Sequence, residues 1–171
     1  SIQAIINKAQ QLGHEYEPLY KGCAQCTFLA IMDALKWGGV KTISEQAKKE
    51  VLPGVCLLSG GTAFSGEGTC GAMFGAIMAI GLVGGIFPSG DNINKLHSLG
   101  NDIRDSIMGK YYTKYGSVLC KDVQRKRYGK GYDITREDMT KEFLSISNGC
   151  TIHETILWAV EFILDGFEKN T

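Results

Sequence analysis

The sequence predicts an all-α protein, a compact single-domain helical bundle built around a buried, glycine-rich central helix. Apolar residues recur at helical spacing in most segments, and Val, Ile and Thr rarely alternate with polar residues as they do in strands. The 171 residues can bury a core of their own, so we expect one domain over residues 1–171. Neither internal repeats nor low-complexity tracts interrupt the pattern.

Three helices are predicted in the first third of the chain. Residues 2–16 place apolar side chains on one face, and Pro18 is expected to end this first helix. The second helix is predicted over residues 23–37, because the segment is apolar almost throughout and stops at a Gly pair. Ser44 caps a short third helix, which Pro53 is expected to end.

An uncharged stretch, Cys70–Phe87, predicts the central helix. Thr69 is a suitable N-cap, which would place Cys70 in the first turn, where free N–H groups and the helix dipole favour a thiolate. The stretch is long enough to resemble a membrane span with small residues every fourth position. Its many glycines and amphipathic neighbours favour a bundle instead, so we expect no membrane span and the most buried helix of the fold.

Four further helices are predicted in the second half. One long helix covers about residues 93–114, a short one carries Cys120, a third covers about residues 135–144, and the last follows Cys150. A basic loop, residues 125–130, is expected between the second and third of these. Because the chain has 18 basic and 18 acidic residues, no overall field attracts nucleic acid, and no nucleic-acid partner is expected.

Cysteines are the most informative residues of the chain, and there are six: Cys23, Cys26, Cys56, Cys70, Cys120 and Cys150. Their share is well below that of a disulfide-stabilised secreted miniprotein. Gly71 and Gly75 follow Cys70 closely, and neither has a Cβ. A cluster, a second thiol or a substrate could therefore approach this thiol, and both glycines are candidate cofactor-binding positions.

The order of four cysteines follows a known pattern. Cys23, then Cys70-Gly71-Ala72-Met73-Phe74-Gly75, then Cys120 and Cys150 resemble the redox-active family named for its C…CGAxxG…C…C pattern, the C_GCAxxG_C_C family. The resemblance extends over about residues 19–167. It implies a cysteine-based redox function, in an oxidoreductase or a component of one, with a redox protein as partner. Cys26 and Cys56 are additional to the pattern.

The four matching cysteines each lie at or near the boundary of a different predicted helix. Because helix ends can converge at one end of a bundle, we expect the four thiols to gather around one centre. An iron–sulfur cluster, bound by Cys23, Cys70, Cys120 and Cys150 and used in electron transfer, is the predicted cofactor. A zinc ion on the same four thiols, with a structural or interaction role, is the first alternative.

Thiol–disulfide exchange is the second alternative. Cys23 and Cys26 share a helix face at i and i+3, and Cys23 and Cys70 are the catalytic candidates for this chemistry. A thioredoxin fold is not expected, because the CxxC pair follows a helix and a turn rather than a strand. Cys26 and Cys56 remain extra ligands, resolving thiols or core residues.

Three histidines, His14, His97 and His153, invite a Cys–His nucleophile. His153 follows Cys150 closely enough to bind a metal or to tune that thiol. Surface histidines are the favoured interpretation. The sequence places no further carboxylate or amide to orient the ring of His97 or His153, so a Cys hydrolase is not favoured.

The first residues lack a basic segment followed by a long apolar core, so no secretory signal is expected. A reducing, cytoplasmic compartment is the default expectation. The start at Ser1 leaves room for an upstream segment, and the sequence leaves the oligomeric state open.

Overall fold

The computed structural model describes residues 1–169, with side chains as far as residue 166. It confirms the predicted all-α fold, and the β pairing of the described residues is one isolated bridge between Thr69 and Leu119. The helices are α1 (Ile2–Tyr20), α2 (Cys23–Trp37), α3 (Glu45–Cys56), α4 (Gly71–Gly84), α5 (Asn92–Ile103), α6 (Gly109–Tyr115), α7 (Cys120–Tyr128), α8 (Glu137–Ile146) and α9 (Ile152–Lys169).

Two helices continue past the prolines that were expected to end them. Pro18 lies inside α1 and Pro53 inside α3, each in the last turn of its helix. A proline there removes one backbone donor and interrupts little of the helix beyond it. α1 instead ends at Lys21, whose left-handed backbone (φ 51°) lets its N–H bond the Glu17 carbonyl.

The most buried helix is α2, and the prediction that α4 holds this place was wrong. Most residues of α2 are buried, against half of those in α4. The reason is the number of neighbours: α2 contacts α1, α3, α4 and α9, whereas α4 packs mainly on α2 and α9. α4 is still a buried, glycine-rich helix at the centre of the bundle, but its last turn is partly exposed.

α2 and α4 approach each other closely at Gly75. A Cβ built on Gly75 would lie 2.3 Å from the Ala24 carbonyl oxygen and 3.2 Å from the Phe28 nitrogen. Backbone therefore meets backbone at this crossing, and only a residue without a side chain fits.

The predicted long helix over residues 93–114 is helical but not uniform. A π-helical segment, Arg104–Met108, separates α5 from α6. Because a π turn contains an extra residue, it rotates the helix that follows relative to the one before. Tyr111 of α6 is fully buried, and its hydroxyl contacts the sulfur of Cys70.

The basic segment predicted as a loop belongs mostly to a helix. Arg125, Lys126 and Arg127 form the last turn of α7, which ends at Gly129 with φ 83°. Cations are favoured at this end of a helix because its free carbonyls carry partial negative charge. Only residues 129 and 130 of the expected loop therefore lie outside the helix.

No helix within residues 1–169 combines the length and the apolar character that a bilayer crossing requires.

Candidate functional site

Cys70 and Cys120 are held beside each other by paired backbone. The Cys70 N–H donates to the Val118 carbonyl (2.8 Å), and the Cys120 N–H donates to the Gly68 carbonyl (2.9 Å). The segments that lead into α4 and α7 therefore run antiparallel over two hydrogen bonds. This pairing fixes the starts of two helices, and with them two thiols that are 50 positions apart in sequence (120 − 70).

The same pairing changes the role expected of Thr69. Thr69 does not cap α4, because its backbone forms the bridge with Leu119. Cys70 itself occupies the N-cap position, with φ −48° and ψ 125°, and α4 starts at Gly71. The thiol thus lies at the positive end of the helix, one residue earlier than predicted.

Cys23 starts α2 and lies against the start of α4. A Cβ on Gly71 would lie 2.5 Å from the Cys23 sulfur, so glycine at this position is what lets the two segments meet. Gly60 donates its N–H to the same sulfur at 3.5 Å. Gly71 is thus placed at the thiols, whereas Gly75 is placed at the crossing of α2 and α4.

The glycine-rich loop after α3, residues 59–68, lies against the thiols of Cys23 and Cys120. Gly60 and Gly61 have positive φ (61° and 73°), and a Cβ on Gly61 would lie 2.5 Å from the Cys120 Cβ. Ser59 anchors the loop to α2, since its hydroxyl accepts from the Ala24 N–H (3.1 Å) and donates to the Gln25 side chain (2.6 Å). The loop therefore brings bare backbone to both Cys23 and Cys120.

Cys150 lies in the turn before α9, in a left-handed conformation (φ 46°). Its N–H donates to the Ser147 carbonyl at 2.7 Å. Burial and the charge of Cys70 raise the pKa of Cys150 to about 11, while Tyr128 and Arg127 act in the opposite direction. Two residues of α7 thus favour negative charge on this sulfur.

The four cysteines of the pattern lie close enough to interact electrostatically. Burial raises the pKa of Cys23 to about 12 and that of Cys120 well above its usual range. Negative charge on Cys70 is the next cause for both, as it is for Cys150. Cys70 therefore interacts with each of the other three. We call Cys23, Cys70, Cys120 and Cys150 the thiol cluster.

Hydroxyl and amide groups supply further hydrogen bonds to the thiol cluster. The Cys70 sulfur shares hydrogen bonds with Thr151 Oγ1 (3.2 Å) and Tyr111 Oη (3.5 Å), and Gln124 Nε2 donates to the Cys120 sulfur (3.6 Å). Burial, followed by the Cys70 charge, raises the pKa of Tyr111 well above its usual value. None of these three residues is among the site residues predicted from the sequence. Two of them had a signal that could have been used: Thr151 is adjacent to Cys150, and Gln124 lies one helical turn after Cys120.

Cys26 and Cys56 lie outside the thiol cluster. The Cys26 thiol donates to the Tyr16 carbonyl of α1 at 3.5 Å. Burial raises its pKa, and the charged groups that add to this are Glu17 and Cys56. The CxxC pair of α2 therefore presents its two thiols to different surroundings.

The spacing of the thiol cluster bears on what it can bind. All six cysteines are free, and within residues 1–169 no three of their sulfurs lie within 4.8 Å of one another. In a tetrahedral zinc site, Zn–S bonds of ~2.3 Å bring neighbouring sulfurs to within ~3.8 Å. The described arrangement is therefore wider than a four-thiolate zinc site.

The raised pKa values predict that alkaline pH destabilises the reduced, metal-free chain. Unfolded thiols lose their protons near pH 9.0, whereas folding holds the protons on Cys23 to about pH 12 and on Cys150 to about pH 11. The contribution of these thiols to the free energy of unfolding is therefore fully present below pH ~9. It falls as the pH rises through this window, since the folded state then binds more protons than the unfolded state.

Urea unfolding at a series of pH values under reducing conditions measures this loss of stability. The Cys23→Ala variant should show a smaller decline than the unmodified chain. A midpoint that stays level or rises between pH ~9 and pH ~11 would contradict the burial of these thiols.

Comparison with known proteins identifies one family. A family model described as "Putative redox-active protein (C_GCAxxG_C_C)" matches residues 21–161, which is most of the chain and includes the whole thiol cluster. The pattern in the family's description has glycine before its second cysteine and alanine after it. Here Thr69 precedes Cys70 and Gly71 follows it. Searches of curated proteins and of solved structures return no match.

Proposed function

The chain belongs to the C_GCAxxG_C_C family, whose members are described as redox-active, and from this premise we propose that it transfers electrons through an iron–sulfur cluster held by the thiol cluster. The observation that carries the proposal is the convergence of Cys23, Cys70, Cys120 and Cys150 on one buried region. These residues come from the starts of α2, α4 and α7 and the turn before α9.

The donor set fits such a centre. Four thiolates are the usual ligands of iron–sulfur clusters, and hydrogen bonds to the sulfurs together with low exposure set the reduction potential. Cys70 and Cys120 are buried, while Cys23 and Cys150 are partly buried. Gly60, Thr151 and Gln124 each direct a polar group at one of the sulfurs. When bound, the cluster supplies one-electron chemistry, and the chain supplies ligands, donors and exclusion of water.

The protonation of the thiols favours a metal centre over thiol–disulfide exchange. Exchange requires a thiolate, and a pKa of about 12 for Cys23 or about 11 for Cys150 leaves very little thiolate at pH 7. Metal ions displace thiol protons and offset the repulsion among the resulting thiolates. The features that make these thiols poor nucleophiles are therefore compatible with metal binding.

A basic helix end lies beside the half-buried side of the thiol cluster. Arg127 lowers the pKa of Cys150, and Arg125 and Lys126 extend the same turn of α7. Positive charge next to a redox centre steers negatively charged partners toward it. The partner we propose is therefore an acidic redox protein that docks at the end of α7.

Absorbance and metal analysis of anaerobically purified chain test the cofactor. We expect broad visible absorbance that bleaches on chemical reduction, together with iron and acid-labile sulfide. A colourless protein that contains zinc would contradict the proposal and support a structural zinc site.

The dithiol reaction is the second candidate, and one contact favours it: the Cys23 sulfur lies against Gly71, the residue after Cys70. Here the two thiols would lose two electrons and two protons to an oxidised partner disulfide and form one disulfide. A colourless, metal-free protein with a Cys23–Cys70 disulfide by non-reducing peptide mapping would support this reaction and overturn the cluster.

A further inference from the structure

Three side chains with metal-binding groups meet where α1 packs against α9, away from the thiol cluster. His14 and Glu17 come from successive turns of α1, and His153 comes from the first turn of α9. One ligand atom from each lies within 4.8 Å of the other two. The rings of His14 and His153 are stacked, with centroids 3.6 Å apart.

Polar atoms at the centre of this group are buried and have no hydrogen-bond partner. They are Glu17 Oε1 and both ring nitrogens of His153. His153 Nε2 lies 2.6 Å from Glu17 Oε1, but the approach lacks the alignment of a hydrogen bond. His153 Nδ1 has neither a hydrogen bond nor an ion pair, and because buried polar atoms nearly always have a partner, this atom indicates that a ligand belongs there.

Two glycines line the group without filling it. A Cβ on Gly149 would lie 2.5 Å from Glu17 Oε1 and 2.9 Å from His153 Nε2, and a Cβ on Gly13 would lie 3.4 Å from His153 Nδ1. Gly149 also has φ 81°, which side chains rarely adopt. Any larger residue at position 149 would crowd both the carboxylate and the imidazole.

The chemistry of the donors identifies the class of ligand. An imidazole in its neutral form offers one ring nitrogen with a free lone pair, and both His14 and His153 can bind a metal ion through it. Two imidazoles and one carboxylate suit Zn²⁺ or Fe²⁺, and three protein ligands leave coordination positions for water.

We propose that His14, Glu17 and His153 form a second metal site, which binds a divalent transition-metal ion such as Zn²⁺ or Fe²⁺ between α1 and α9. The site shares no ligand with the thiol cluster. The test of this site is therefore independent of the test of the iron–sulfur proposal.

Titration of the full chain with Co²⁺ tests the site, because its spectrum separates sulfur ligands from nitrogen and oxygen ligands. The probe is added to the purified protein after weakly bound ions have been removed with a chelator. We expect a bound Co²⁺ ion without sulfur-to-cobalt charge transfer. The His14→Ala/Glu17→Gln variant should bind it at least about 100-fold more weakly, since loss of even outer-shell partners of metal ligands costs 10–100-fold.

The matched control is the His97→Ala/Glu161→Gln variant, which removes the same two residue types from exposed positions on α5 and α9. It should bind Co²⁺ as the unmodified chain does. Thermal melting without metal checks folding, and His14→Ala alone, at an exposed position, replaces the double variant if that variant unfolds. The proposal would be overturned if the test and control variants bound Co²⁺ with equal affinity. It would also be overturned if Co²⁺ bound only with the sulfur-to-cobalt charge transfer of cysteine ligands, or did not bind at all.

Discussion

Gly75→Ala is expected to lower the free energy of unfolding by about 3 kcal/mol, at the upper end of the cost of overpacking a core. The new methyl group would lie 2.3 Å from the Ala24 carbonyl oxygen and 3.1 Å from the carbonyl carbon. Both are backbone atoms of α2, the most buried helix, so no side-chain rotation relieves the overlap. α2 and α4 must move apart, and the core between them loses contacts.

Gly81→Ala is the matched control on the same helix. A Cβ at position 81 meets nothing within 4 Å. Alanine is better than glycine in a helix interior, so this variant should be more stable by up to ~1 kcal/mol. Chemical denaturation of both variants measures the contrast. If Gly75→Ala is as stable as the unmodified chain or more so, helix propensity outweighs the close contact and the described crossing of α2 and α4 is wrong.

The helices were largely predictable because their signals are local. α2 lies where its apolar residues and flanking glycines placed it. The π-helical segment, Arg104–Met108, has no local sequence signal of the kind that marks the caps and ends of helices. The continuation through Pro18 and Pro53 was missed since a proline in the last turn costs little, and sequence alone does not show which turn is last.

The candidate site, like the fold, was predictable only in part. The order of the cysteines, with glycines after Cys70, indicated which thiols to consider, and the structure brings those four together. The contact of Tyr111 could not be predicted, because Tyr111 reaches the Cys70 sulfur through the packing of α6, whereas Gln124 lies four residues after Cys120 on α7 and its contact follows from helical spacing. The different surroundings of Gly71 and Gly75 likewise depend on which segment lies opposite each glycine. Cofactor and ligand roles remain predictions.

The second large effect concerns the thiol cluster. Replacing any one of Cys23, Cys70, Cys120 or Cys150 by alanine is expected to remove most of the iron and acid-labile sulfide from anaerobically purified protein. Each variant deletes one of the four proposed ligands, and the neighbouring groups offer hydroxyls and amides rather than a replacement thiolate. Cys26→Ala and Cys56→Ala are the matched controls, because Cys26 directs its thiol at the Tyr16 carbonyl and Cys56 ends α3.

Iron and sulfide per chain in these six variants, with helical content by circular dichroism as a check on folding, test the central claim most directly. The account predicts that the four variants of the thiol cluster lose iron and sulfide together while the two controls keep the content of the unmodified chain. Unchanged iron and sulfide in a folded Cys70→Ala variant, or equal loss in Cys26→Ala and Cys56→Ala, would contradict it.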